Sequence, residues 1–442
     1  MISAMLRTNV VVLSLVIIAA ACLSLKPTEA STTISIPQND QYMHMGVATC
    51  ASSNCHASKD QKSASNVDQT EYNTWLLRDR HAKAYRTLES KESRLIGEKL
   101  GIKEPSQSTV CLDCHADNVS LERRGPEFQI TDGVGCEACH GGSEVWLSRH
   151  TLQPNDAARN LRDGMYQSSD LGSRVKLCAG CHLGNSQKSA THQIMGAGHP
   201  RLSFELDAFT ERQPAHHRMD GAHATKTNNE TSVRRMLVGT AVLGQLVASN
   251  MTGKLIDHAQ GYPELTLFDC HSCHHPLSDL RWQPSSAAPK LKPGMVRLND
   301  SVFKVLAELV GAFDPGLENS MVRSISRLQS ASQRSIDDLR VAALEIYESA
   351  QKSQAIFEQK QIKNGQIEIM VQGLAQLGAD GALSDYSAAE YAVICLDSLS
   401  QELPPQPRLE TLLNQAYEIL TDDDQYSEAQ LRIAMSNYLR DQ

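Results

Sequence analysis

Residues 133–150 read Gly133-Val-Gly-Cys136-Glu-Ala-Cys139-His140-Gly-Gly-Ser-Glu-Val-Trp146-Leu-Ser-Arg-His150. Cysteines three apart fall on one face of a helical turn, and the next residue can swing an imidazole over that face. Working outward, the same arrangement recurs upstream in Cys111-Leu-Asp-Cys114-His115. Downstream it recurs in Cys178-Ala-Gly-Cys181-His182 and in Cys270-His271-Ser-Cys273-His274. A fifth segment, Cys50-Ala-Ser-Ser-Asn-Cys55-His56, keeps the cysteine-histidine adjacency but has four residues between its cysteines. Of the 12 cysteines only Cys22 and Cys395 stand outside such pairs.

This is the attachment signature of c-type haem, in which two thiols form thioethers and the adjoining histidine ligates the iron. The spacing therefore predicts up to five covalent haems. Their proximal ligands would be His56, His115, His140, His182 and His274. The Cys50/Cys55 site needs a looped-out insertion, and a lone disulfide is its alternative. Zinc ribbons also use paired cysteines but do not ask for histidine directly after the second one. A thioredoxin-like redox pair would occur once and within a βαβ pattern, which is absent here.

Eleven of the 16 histidines remain as candidates for the sixth iron ligand. His81 lies in the helical stretch around Glu71-Tyr-Asn-Thr-Trp75, with Trp75, Leu76 and Leu88 to bury one side. His150 follows the third motif by ten residues, and His192 and His199 bracket a glycine-containing turn. These four are the expected distal ligands. His44 and the pair His216-His217 are secondary candidates, and Met43, Met45 or Met195 could also serve. His271 and His275 sit too close to their own motif to ligate its haem. Were one haem open to substrate, spare histidines such as His216, His217, His223 and His258 could serve as proton donors, since an unperturbed imidazole has a pKa of about 6.5.

The segments VATCASSNCHA, EYNTWLLRDRHAKAY, GVGCEACHGGSEVWLSRH, AGHPRLSFEL and FDCHSCHHPL resemble periplasmic multihaem cytochromes of the cytochrome c-554 type. The resemblance covers about residues 44–285. It implies a mostly helical fold with closely stacked haems, and distal ligation by His81, His150 and His199 to haems bound elsewhere in the chain. The name-giving type carries four haems, whereas five motifs stand here. Pentahaem nitrite reductase is less similar, because no motif ends in lysine.

The expected fold is mainly α: a multihaem domain over residues 50–283 followed by a helical bundle or stack of helical hairpins over 295–442. Residues 1–30 read as an export signal, with one basic residue, Arg7, ahead of an apolar run from Val10 to Leu25. That run is shorter than the roughly 20 residues of a spanning helix. An uncleaved anchor, or lipidation at Cys22, are the alternatives. Residues 31–49 form a polar lead-in, and the Pro-, Ser- and Ala-rich residues 284–294 a linker. No segment of the mature chain is expected to span a membrane.

In the C-terminal region Ile336, Leu339, Ala343, Ile346 and Ala350 recur at helical spacing. Ser335 with Asp338 and Ser387 with Glu390 resemble capping boxes, and Pro404, Pro405 and Pro407 separate helices. Cys395 reads as a buried core thiol. From Lys290 onward there are 14 basic and 22 acidic residues, out of a net charge of −9 for the whole chain. That balance disfavours a nucleic-acid partner and favours a basic one. Periplasmic or membrane-bound redox proteins are the expected partners. The function expected is electron relay through the haems. The alternative is an oxidoreductase acting on a small nitrogen or sulfur compound at a five-coordinate haem.

Overall fold

The structure, a computed structural model, describes residues 36–61, 67–152, 156–185, 187–216, 230–253, 263–274, 291 and 295–440. The segments read as export signal and linker, with Cys22, His217, His223, His258 and His275, lie outside them or nearly so. The fold is mainly helical, as the sequence implies, and no strand occurs among the described residues. Only isolated bridges appear, His44 with Arg124 and Phe268 with Leu298.

The haem-motif segment consists of short helices: α1 (Glu71–Arg78), α2 (Ala84–Thr87), α3 (Lys91–Leu100), α4 (Thr109–His115), α5 (Cys136–His140), α6 (Trp146–Arg149), α7 (Ala157–Arg162), α8 (Leu171–His182), α9 (His192–Gly196) and α10 (Leu206–Arg212). After it come α11 (Ser232–Asn250), α12 (Ser301–Gly311), α13 (Pro315–Ala331), α14 (Ile336–Gln359), α15 (Asn364–Ala379), α16 (Tyr386–Ser400), α17 (Pro407–Ile419) and α18 (Glu428–Arg440). From Ser35 onward the chain is one compact unit.

The spine of that unit is α11. It buries 14 of its 19 residues, so it is apolar nearly all round, the pattern of a helix enclosed on every side. It lies along α14 and also touches α8, α10, α12 and α16. A Cβ on Gly244 would stand 3.0 Å from Leu306 Cδ2 and 3.4 Å from Ala350 Cβ, so the missing side chain lets α11 approach α12 and α14. Truncating a fully buried Leu237 or Leu243 here to alanine should cost about 2–5 kcal/mol.

In α14 the residues Leu339, Ala343, Ile346 and Ala350 are buried and Ser335 caps the helix by accepting from Asp338 N–H at 3.1 Å, as the spacing implied. Pro407 opens α17. Cys395 is fully buried. Two local readings change. The cap of α16 is Asp385, which accepts from Ala388 N–H at 2.8 Å, rather than Ser387, because the carboxylate stands one turn ahead of that amide. Leu76 is 41% exposed, because α1 ends at Asp79 and the chain turns before a long apolar face can form; Leu88 is buried as expected.

Candidate functional site

Three motifs sit where a helical turn places both cysteines on one face: α4 ends in Cys111-x-x-Cys114-His115, α5 is Cys136–His140, and α8 ends in Cys178-x-x-Cys181-His182. The fifth motif forms a single 3-10 turn at Cys270–Ser272. There His274 N–H donates to Cys270 O at 2.8 Å. In the first motif His56 N–H donates to Cys50 O at 3.3 Å. The longer first motif thus closes the same bond between first cysteine and histidine, with its extra residues looped out. None of the described cysteines forms a disulfide.

Each motif histidine faces a second imidazole. The ring centres are 6.3 Å apart for His56 and His150, 6.1 Å for His182 and His81, 6.3 Å for His115 and His199, 6.4 Å for His140 and His216, and 6.1 Å for His274 and His192. An imidazole nitrogen stands about 2 Å from a bound metal and about 1.1 Å from its ring centre, so two imidazoles on opposite sides of one ion lie about 6.3 Å centre to centre. The five spacings fit one six-coordinate iron per pair. Four of the second histidines are those singled out in the sequence, and each stands opposite a motif histidine.

His216, a secondary candidate in the sequence, is the residue that faces His140. It lies 76 residues beyond His140 in a His-His pair without a helical phrase around it, so nothing local marks it. His44 proves different. It is completely buried, its Nδ1 is 2.7 Å from Asp117 Oδ2 and its Nε2 3.8 Å from Asp40 Oδ1. Burial alone would lower its pKa, but Asp117 and Asp40 raise it to about 10. His44 ties the segment before the first motif to Asp117, and it faces carboxylates that favour its charged form rather than a motif histidine.

Several of the paired rings are oriented by an acceptor at Nδ1, which leaves Nε2 as the metal-facing nitrogen. The partners are Glu71 Oε2 for His56 at 3.0 Å, Asp79 Oδ1 for His81 at 2.9 Å, and Ala84 O for His115 at 3.2 Å. Trp146 O holds His150 at 3.1 Å and Pro200 O holds His199 at 2.8 Å. Glu71 and Asp79 raise the pKa of His56 and His81. Burial lowers that of His182 to about 4, helped by His81 and His115. Asp79 also accepts from His81 N–H at 3.0 Å, so one carboxylate fixes both backbone and ring. Trp75 Nε1 and Val134 N–H bind this segment to the third motif, donating to Val134 O at 3.0 Å and His81 O at 3.1 Å. Gly133, at φ +74°, allows the approach, since a Cβ there would meet His81 O at 2.7 Å.

The motifs also touch one another. Cys50 lies beside Cys136, and Cys114 beside Cys181, close enough for each thiol to perturb the ionisation of the other. Lys188 Nζ lies 3.2 Å from Cys181 Sγ and 2.6 Å from Asp113 O. Phe204 and Phe209 pack on His182, with ring centres 6.1 and 4.9 Å away. Among the described residues the exposed Asp422, Asp423 and Asp424 bring three ligand atoms within 4.8 Å of one another.

Residues 49–141 match the family model described as cytochrome c554 and c-prime. That segment, which holds the first three motifs and His81, is a cytochrome domain of the c554 type, and the chain is a haem-based electron-transfer protein. No curated protein and no solved structure matches the chain. Among the described residues no helix is long and apolar enough to cross a membrane.

Proposed function

We propose that the chain holds five haems c and relays electrons among them and between exported redox partners. Bound haem iron supplies reversible one-electron chemistry. The cysteine pairs 50/55, 111/114, 136/139, 178/181 and 270/273 anchor the groups. The histidines that would hold the irons are His56 with His150, His115 with His199, His140 with His216, His182 with His81, and His274 with His192.

The observation that carries the relay reading is the presence of a second imidazole opposite every motif histidine. An iron enclosed in this way has no open position for substrate, which is what an oxidoreductase would need. The contacts between motifs support transfer along a chain of neighbours: first with third through Cys50 and Cys136, second with fourth through Cys114 and Cys181. Cys139 lies within electrostatic reach of Cys178 and Cys181, which brings third to fourth. His199 and His192 stand seven residues apart around α9, which brings second to fifth.

The apolar run read as an export signal at residues 1–30 and the covalent attachment chemistry support a periplasmic setting for this relay. Its partners there are periplasmic or membrane-bound redox proteins. Residues 50–283 form the haem-bearing segment, and residues 295–442 the helical segment that follows the linker at 284–294. The test is the spin state of the oxidised protein. Five low-spin centres, unmoved by nitrite or hydroxylamine, support the relay. A high-spin centre that shifts with either ligand supports the enzyme.

A further inference from the structure

The chain beyond residue 290 has no cysteine-histidine motif, yet it provides most of what holds the fifth one in place. Arg297 is only 5% exposed. Its guanidinium donates to Asp269 Oδ2 at 3.1 Å, to Ser384 Oγ at 2.7 Å, and to Asp385 at the start of α16. Asp269 directly precedes Cys270. Its own N–H donates to Arg297 O at 2.8 Å, Asn299 N–H donates to Leu267 O at 2.9 Å, and Phe268 bridges Leu298 between them.

The same carboxylate then shapes the motif turn. Asp269 accepts from His271 N–H at 2.9 Å and from Ser272 Oγ at 3.0 Å. His271 in turn places Nε2 3.3 Å from Asp423 O and sets its ring edge-on to Tyr426. The opposite histidine belongs to the same assembly, because His192 N–H donates to Glu264 Oε1 at 2.7 Å and Glu264 caps the turn that leads into Asp269.

A guanidinium this deeply enclosed is tolerable only with its carboxylates present, and removing one partner of such a pair is strongly destabilising. The fifth motif has little else to orient it. Its helix is one 3-10 turn, and His192 and His274 are both exposed, unlike the other four pairs.

Building on the five-haem reading above, we propose that Arg297 is a positioning residue for the fifth motif, and that the C-terminal helices serve as the seat of the fifth haem. They add a terminal station to the c554-type unit. The Asp269–Arg297–Asp385 bridge sets the angle at which Cys270, Cys273 and His274 face His192.

The experiment uses the full-length, matured protein and two variants, Arg297→Gln and Asp269→Asn. It reads haem per chain, integrated high-spin and low-spin signals, and Tm. Each variant should lose one low-spin haem of the five, either unattached or converted to a high-spin centre, with the other four unchanged. Asp269→Asn keeps the Arg297–Asp385 pair within the helical core, so it reports on positioning even if Arg297→Gln fails to fold. Five low-spin haems in Asp269→Asn, with or without a lowered Tm, would overturn the positioning role alone. A colourless wild type would overturn both this role and the five-haem reading.

Discussion

Replacing His216, together with its neighbour His217 so that neither can substitute for the other, should open one iron and leave four untouched. His216 faces His140 at 6.4 Å between ring centres, while the other four pairs lie at 6.1–6.3 Å and share no ring with it. The magnitude follows from that count. In the doubly substituted His216→Ala, His217→Ala protein one fifth of the low-spin ferric signal should convert to high spin. Haem content should stay at five, because Cys136, Cys139 and His140 are intact. Loss of an imidazole donor should also raise the potential of that one centre. Added imidazole should restore the low-spin signal by entering the opened position. Electron paramagnetic resonance of the oxidised protein, integrated against a standard, reads the conversion directly. His44→Gln is the matched control, expected to lower Tm by unpairing Asp117 while leaving every centre low-spin. A fully low-spin spectrum in the His216 variant, or a high-spin centre in the His44 variant, would refute the pairing logic.

Two further consequences concern charge. Glu71→Gln and Asp79→Asn remove the carboxylates that pull on the Nδ1 protons of His56 and His81. The affected centres should then rise in potential, by something on the order of a tenfold change in equilibrium, or about 59 mV, in a potentiometric titration. Glu308, half-buried on α12, has its pKa raised from 4.5 to about 7 by burial and then by Glu318 and Asp380. A folded-state pKa above the unfolded value means stability that is complete below pH 4.5 and lost as pH rises toward 7. The loss is at most about 3–4 kcal/mol, from 1.36 kcal/mol per pKa unit over about 2.5 units. Glu308→Gln should therefore flatten Tm against pH across that window and raise Tm above pH 7, whereas parallel curves for the two proteins would contradict the assignment.

Sequence reading succeeds here where the chemistry is local. The five cysteine-histidine motifs are contiguous in the chain, and even the stretched Cys50–His56 segment preserves the hydrogen bond between first cysteine and histidine. His81, His150, His192 and His199 stand out by their flanking phrases, and each lies opposite a motif histidine. His216 carries no such phrase, because its approach to His140 across 76 residues is a tertiary contact that no spacing encodes. The Nδ1 acceptors were hidden for the same reason: Asp79 sits two residues from its histidine, but Glu71 reaches His56 from 15 residues away. The C-terminal helices showed in their three-four periodicity. What that periodicity could not show was their closure on α11, whose stretch from Met236 to Leu246 is buried on every side with only Thr240 and Gln245 polar, or the grip of Arg297 on Asp269.

The most direct test of the central claim joins intact mass to a pyridine haemochrome assay on exported, purified protein. The account predicts a mass equal to the processed polypeptide plus five haems, with five haemochrome equivalents per chain. A colourless protein weighing no more than its amino acids would contradict it.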